Sequence, residues 1–207
     1  MPLCRTIPFF PGDVKPETPA GIAKTETPAG IAETPLFCYN AANSKPKGQI
    51  AMRRTDREIT DPRTIAGVIR RCDCCRVGFS DGEGVYIVPL SFGYEEAEGR
   101  RTFYFHGAPE GRKFDLIQSC PTVGFELDTG YALREADSAC GFSCRFQSVI
   151  GTGVIRPVTD PEEKRHGLEQ IMGHLSGRTD WDFPEGAVQS TAVFRLDVTG
   201  MTCKEHP

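Results

Sequence analysis

The stretch with the most chemical content runs His106-Gly107-Ala108-Pro109-Glu110-Gly111-Arg112-Lys113. It reads as a strand end, a glycine turn and a helix start with two cations in the first helical turn. Basic side chains there face the positive end of the helix dipole, at a cost of about 0.3–1 kcal/mol each. A bound anion resolves the conflict, because unpaired backbone N–H groups, the dipole and both side chains would converge on one phosphate. The other resolution lets Arg112 and Lys113 splay into water. The local pattern leaves both open.

Pro89 is a second irregularity. It interrupts the strand-like run Val85 to Phe92, where it cannot donate to a ladder. Such a proline marks a sheet edge, a bulge, or a place where pairing lapses because a flat ligand lies along the strand. The nine cysteines are an odd number, which argues against a closed disulfide framework. Cys72, Cys74 and Cys75 form a C-x-C-C cluster, and Cys140 and Cys144 a C-x3-C pair. Structural zinc favours paired knuckles, whereas adjacent Cys74 and Cys75 point apart, so ordinary reduced thiols are expected. His166 and His174 stand at no ligand spacing and are expected in solvent. The chain has no G-x-S-x-G elbow and no G-x-G-x-x-G after a strand, which sets aside a serine hydrolase and a dinucleotide-binding fold.

The elements that must position these residues can be read in order. Asp61-Pro62 opens a helix whose apolar face is Ile65, Val68 and Ile69. Gly84 to Phe92 reads as a strand, with Arg101 to His106 as its hairpin partner. A short helix after Pro109 carries Leu116 and Ile117 inward. Thr122 to Leu127 is another strand. Arg145 to Val158 is a long one whose internal Gly151 and Gly153 predict a bend or bulge. Asp160 caps a helix with Glu163 three residues on, and Leu168, Ile171, Met172 and Leu175 recur along it at helical spacing. Thr191 to Val198 closes the fold. Strands joined by short turns and single helices predict a mainly β protein, an antiparallel barrel with peripheral helices.

Residues 1–49 read as a flexible extension, because Glu17-Thr18-Pro19-Ala20-Gly21-Ile22-Ala23 recurs from Glu26 to Ala32 and its prolines and glycines block helix and strand alike. Residues 50–207 form the folded domain. With 39% hydrophobic residues a core can be buried, and a net charge of −4 disfavours nucleic acid, which rewards a basic face. No apolar run approaches the roughly 18–20 residues that span a bilayer, so no membrane partner is expected. Met1 to Phe10 lacks the pattern of a secretory leader, and the cytoplasm is the expected compartment.

Several segments occur in an order that carries a resemblance. They are Met52 to Ile59 (MRRTDREI), Tyr86 to Glu95 (YIVPLSFGYE), Tyr104 to Lys113 (YFHGAPEGRK), Ser148 to Gly153 (SVIGTG) and Val198-Thr199-Gly200. Together they resemble the Nim-type, nitroimidazole-resistance branch of the pyridoxamine 5′-phosphate oxidase-like superfamily, over about residues 50–203. The resemblance implies a six-stranded FMN-binding split barrel, a homodimer with the cofactor at the interface, and a small-molecule substrate. On that likeness Val88, Pro89 and Leu90 flank the flavin ring, and His106, Gly107, Ala108, Arg112 and Lys113 hold the phosphate. Ser148 is a further cofactor contact, and Trp181 covers the flavin from the partner subunit or anchors an interface. His106 is the candidate proton donor, with phosphate binding or a strand-end place as its rival roles. The implied activity is reduction of a 5-nitroimidazole-like nitro group or chemistry on a pyridoxamine phosphate-like compound. The alternative is a non-catalytic module holding a flavin or haem. The two cysteine groups are not features of that family.

Overall fold

The computed structural model describes residues 52–207, and the repeat-bearing extension lies outside the described residues. The two helix starts form as their sequences require. The Asp61 carboxylate accepts from the Thr64 N–H at 2.8 Å at the head of α1 (Pro62–Arg70), and Asp160 accepts from the Glu163 N–H at 2.8 Å at the head of α3 (Pro161–Ser176). Such caps stabilise a helix by about 1 kcal/mol. Ile65, Val68 and Ile69 of α1 are buried as its periodicity predicts. On α3, Ile171 is buried and Leu168 packs beside it, but Leu175 is exposed.

Among the described residues eight strands form one sheet: β1 (Glu58–Ile59), β2 (Cys75–Ser80), β3 (Val85–Leu90), β4 (Gly93–Ala97), β5 (Arg100–Gly107), β6 (Thr122–Arg134), β7 (Ser143–Val158) and β8 (Ala192–His206). Their order is β3-β2-β6-β7-β8-β5-β4, with β1 added on β8, and every pairing is antiparallel. This corrects the expected six strands, and the sheet is not closed by a ladder. It also corrects the expected hairpin. The Val85–Leu90 strand pairs with β2, while β5 pairs with β4, which begins at Gly93, just past the predicted strand. Two strands that are close in sequence therefore stand at opposite edges of the sheet. The bend expected near Gly151 and Gly153 is present as a register shift between Thr152 and Gly153.

Strand alternation sends one face of the sheet inward. Val77 and Phe79 of β2, Val123, Phe125 and Leu127 of β6, and Phe103 and Phe105 of β5 are all buried. Phe103 and Phe125 lie three strand steps apart, about 14 Å on a flat sheet. Their ring centroids are 5.2 Å apart. The sheet is therefore strongly curled around an aromatic core, which α1 and α2 (Arg112–Ser119) help to fill through Ile69 and Ile117, while Tyr104, Val158, Ile171 and Val193 form a second cluster.

The long helix α3 covers β4 and β5. His166 shares a 2.7 Å hydrogen bond with Glu95, whose other oxygen accepts from the Tyr104 hydroxyl at 3.1 Å. His174 shares one with the Cys72 carbonyl at 2.9 Å and lies tilted against Phe92, with ring centroids 4.1 Å apart. Both histidines are half-buried packing groups, not the solvent-facing residues expected. The close seat depends on Gly93, where an added Cβ would stand 2.5 Å from the backbone of Gln170 and Ile171. Gly93→Ala should therefore lower stability by about 1–3 kcal/mol, as overpacking does, and thermal or urea unfolding measures it. Unchanged stability would show that α3 moves away at little cost.

Candidate functional site

Strand β5 ends with His106 and Gly107 paired to Val193 and Ala192 of β8. The chain then turns through Ala108–Glu110, and α2 starts after Gly111, whose φ of 95° suits a residue without a Cβ. No side chain of the described residues caps this helix start. Its first N–H groups, normally satisfied by a cap, water or ligand, face the turn. Phe114 and Ile117 hold α2 down, Phe114 against Phe194 at 6.2 Å and Ile117 in the core.

The two first-turn cations part company. Lys113 folds back across Gly107, so that a Cβ added to Gly107 would stand 2.5 Å from the Lys113 ammonium. That ammonium also lies 5.4 Å from the centre of the Phe194 ring. Lys113 is half-buried, and its withdrawal from water lowers its pKa below the ordinary lysine value. Among the described residues no carboxylate lies in ion-pair reach of it. His106 stands beside it at the exposed strand end. Its pKa is lowered first by partial desolvation and then by the Lys113 charge, so the ring is mostly neutral at pH 7.

Arg112 points the other way. Its guanidinium pairs with Asp81, in the turn between β2 and β3, and lies over the Tyr86 ring at 4.5 Å. The ion pair and two backbone amides hold the Asp81 carboxyl below the usual carboxylate range. Asp81 and Tyr86 escaped the sequence reading, because Arg112 and Asp81 are 31 positions apart and nothing local marks them as partners.

Val88, Pro89 and Leu90 lie on β3, at an edge of the sheet. The edge accounts for the proline, since a missing donor costs nothing on the unpaired side. Val88 and Leu90 turn inward onto the core, and Pro89 faces outward with Val85 and Ile87. Ser148 sits on β7 between Asp128 and Lys204. It lies two residues from Ile150, which the ladders Pro89–Arg76, Arg76–Glu126 and Glu126–Ile150 place in the row of Pro89. From Val158, in the row of His106, Ser148 is ten residues away, or about 33 Å of extended strand. Within one chain Ser148 thus accompanies the outer face of Pro89 and not the His106–Lys113 corner. Trp181 is partly exposed between α3 and α4 (Glu185–Ser190), under the Arg178 guanidinium at 4.3 Å.

The cysteine cluster is structural in character. Cys72, Cys75 and Cys203 are buried, and desolvation pushes their thiols up, that of Cys72 to about 12 and that of Cys203 to about 11. They are protonated near neutral pH and poor nucleophiles. Among the described residues no helix is long and apolar enough to cross a membrane.

Comparison with known proteins agrees with this geometry. The family described as pyridoxamine 5′-phosphate oxidase matches residues 61–205. A solved structure from Bacteroides thetaiotaomicron, assigned to 5-nitroimidazole antibiotic resistance, is 34% identical with a TM-score of 0.62, covering 72% of this chain and 86% of that one. Two more distant structures share the fold. A flavocytochrome from Azotobacter vinelandii has a TM-score of 0.63 at 21% identity, covering 76% of this chain and 72% of its own. An FAD- and haem-binding protein from Mycobacterium smegmatis has a TM-score of 0.62 at 13% identity, covering 72% and 73%. No curated protein matches the sequence. Because the family match runs from the cap of α1 almost to the end of β8, through both β3 and the Lys113 corner, the chain belongs to the pyridoxamine 5′-phosphate oxidase family.

Proposed function

We propose that the protein binds FMN and uses it to reduce a small nitroaromatic, 5-nitroimidazole-like compound, or to act on a pyridoxamine phosphate-like one. One observation carries this reading. Lys113 is a half-buried ammonium, facing no carboxylate of the described residues, set over Gly107 beside an uncapped helix start. Burying an unpaired charge is costly, and a phosphate dianion would compensate it. The 34% identity to a protein assigned to nitroimidazole resistance supports the substrate class. Flavin, when bound, would supply the electron transfer. The chain's own task is to hold the phosphate through Gly107, Ala108 and Lys113, with Arg112 alongside, and to present the ring to Val88, Pro89 and Leu90. His106 would stand beside the phosphate and could pass a proton when charged.

A second reading, in which flavin or another planar ligand is bound and sensed without turnover, rests on His106 standing at an exposed strand end with no hydrogen-bond partner among the described residues to orient its ring for proton transfer. Steady nitro reduction by the flavin-loaded protein dismisses that reading. Bound flavin that no acceptor oxidises supports it.

The working unit is a homodimer, with a second copy seated on the outer face of β3, β2, β6 and β7. There Val85, Ile87 and Ile150 are 70%, 60% and 53% exposed, around a groove of about 720 Å³ that includes Gly78 and Gly124. An exposed apolar patch of this kind, bordered by the Arg76–Glu126 ion pair, is unusual on a monomer. Pro89 and Ser148 share that face by strand alternation, so a partner there would adjoin the ring-flanking strand.

Three measurements test these statements. Lys113→Met should weaken FMN binding roughly ten- to hundredfold, the loss of one charge-assisted contact, in a fluorescence-quenching titration. Its apo form should be at least as stable as wild type, because the lowered Lys113 pKa means that folding disfavours the charged ammonium; wild-type protein that FMN cannot titrate overturns the reading. Histidine NMR should place the His106 pKa below 6.5 in the apo protein and raise it when FMN binds, as a nearby dianion requires. An unmoved His106 would put the phosphate elsewhere. Sedimentation should show a wild-type dimer that Ile87→Glu dissociates, and a wild-type monomer at micromolar concentration removes the dimer.

A further inference from the structure

We infer that Asp81 and Tyr86 are positioning residues of the phosphate site. They pre-set the Arg112 guanidinium, so that it joins Lys113 at the head of α2 as a second donor to the phosphate. The inference rests on the flavin reading above and deepens it. Asp81, itself an anion, acts through Arg112 and not on the phosphate.

Arg112 is the first residue of α2, next to Gly111 and the uncapped amides, and its side chain is 58% exposed. A long side chain in that position ordinarily samples many rotamers in water, and ordering it on a ligand costs affinity. Here it is already placed. One amino group of the guanidinium donates to Asp81, and the planar face lies over the Tyr86 ring at 4.5 Å. These contacts use little of its donor capacity, because a guanidinium carries five N–H groups in a planar fork. Among the described residues Nε and Nη1 of Arg112 make no hydrogen bond and remain for an anion. Stacked and bidentate contacts of this kind suit arginine and are poorly served by lysine.

Both holders are themselves fixed. One Asp81 oxygen accepts from the Glu83 and Gly84 amides at 3.0 and 2.8 Å, closing the turn between β2 and β3, and the side chain is only 13% exposed. That turn needs a single side-chain oxygen, which an asparagine also supplies. The second oxygen and the negative charge are surplus to the turn, and Arg112 is what they meet. Tyr86 lies 6.3 Å from Phe79 and packs on the core, and its hydroxyl makes no hydrogen bond among the described residues, so the ring face is what it offers Arg112. Asp81 has two opposed effects on a bound phosphate, orienting Arg112 and offsetting its charge. Water at the exposed guanidinium weakens the second, whereas the orientation persists. Orientation therefore decides the sign. With Lys113 folded over Gly107 and Arg112 held toward the hairpin, two donors approach the helix start from different sides.

The test measures FMN against riboflavin, which has the same ring and no phosphate, by fluorescence-quenching titration. Asp81→Asn keeps the oxygen that closes the turn and loses the hold on Arg112. It should lower the FMN-to-riboflavin preference by about three- to tenfold, the size of an exposed ion pair or cation–π contact, with riboflavin affinity within about twofold of wild type. Tyr86→Leu should do the same, and Tyr86→Phe, which keeps the ring face, should stay near wild type. Arg112→Gln should lose at least as much, and adding Asp81→Asn to it should cost nothing further. Parallel weakening of both ligands by Asp81→Asn would make the contact a support of the hairpin only and overturn the inference. A raised preference would overturn it too, by making Asp81 a competitor of the phosphate, and so would an unchanged one. NMR of the apo protein gives a readout that needs no flavin: rotation of the Arg112 guanidinium should be hindered in wild type and free in Asp81→Asn. Hindered rotation in a wild type that does not prefer FMN places the failure in the flavin reading and removes the phosphate role with it. Free rotation in a wild type that does prefer FMN places it in the pre-setting.

Discussion

The structure depends on the bent ribbon formed by β7 and β8. These strands pair from Phe146 and His206 at one end to Val158 and Val193 at the other, and β6, β5 and β1 are all hung on them. A straight ribbon of that length would hold β6 and β5 far apart and leave both inner faces wet. The register shift at Thr152 and Gly153 bends it instead. Two glycines make the bend sterically possible: a Cβ at Gly151 would stand 2.3 Å from the Phe125 ring, and one at Gly153 would stand 2.5 Å from the Asp197 carbonyl. The aromatic side chains of β6 and β5 can then meet, and the core is the consequence of that meeting.

A curled but unclosed sheet has two edges to manage, and the protein treats them differently. The β4 edge is packed beneath α3, where Gly93 allows close approach and Glu95 ties His166 and Tyr104 together. Among the described residues the β3 edge has no helix seated on it comparable to α3. It carries Pro89, which removes a donor from a strand edge and so discourages indiscriminate pairing, and its hairpin is tied to α2 through Arg112. Rigid support on one side and a side-chain tie on the other leave the two edges unequally held.

Much of this was legible in the residues, and the failures share a cause. Caps, helix faces and the bulge are local properties, so Asp61, Asp160, Ile117 and Gly153 announced themselves. Partner choice is not local. The Val85–Leu90 run is plainly strand-like, yet its mate is the short Cys75–Ser80 segment, whose alternation was masked by the cysteines that precede it. The Asp81-Gly82-Glu83-Gly84 turn between them was the available signal. His166 and His174 were misread for the same reason, since their partners Glu95 and Cys72 lie 71 and 102 positions away. The resemblance supplied the family, while two extra strands and an open order came only from the pairing itself.

The corner at Gly107 shows what adjacency in sequence hides. Arg112 and Lys113 read as one unit, a doubled positive charge at a helix start. In the folded chain they sit in different electrical settings, one paired with a carboxylate and stacked on an aromatic ring, the other withdrawn from water with no counter-charge among the described residues. A paired cation at the surface contributes structure but little net field. An unpaired, half-buried one raises the local potential and is itself unfavourable until an anion arrives. On the proposed function, affinity for a phosphate would reside in the residue that costs the fold stability. Reduced stability at such a position is the expected signature of a site and not of poor packing, which is why Lys113, and not the more conspicuous pair, is the residue on which the functional assignment turns.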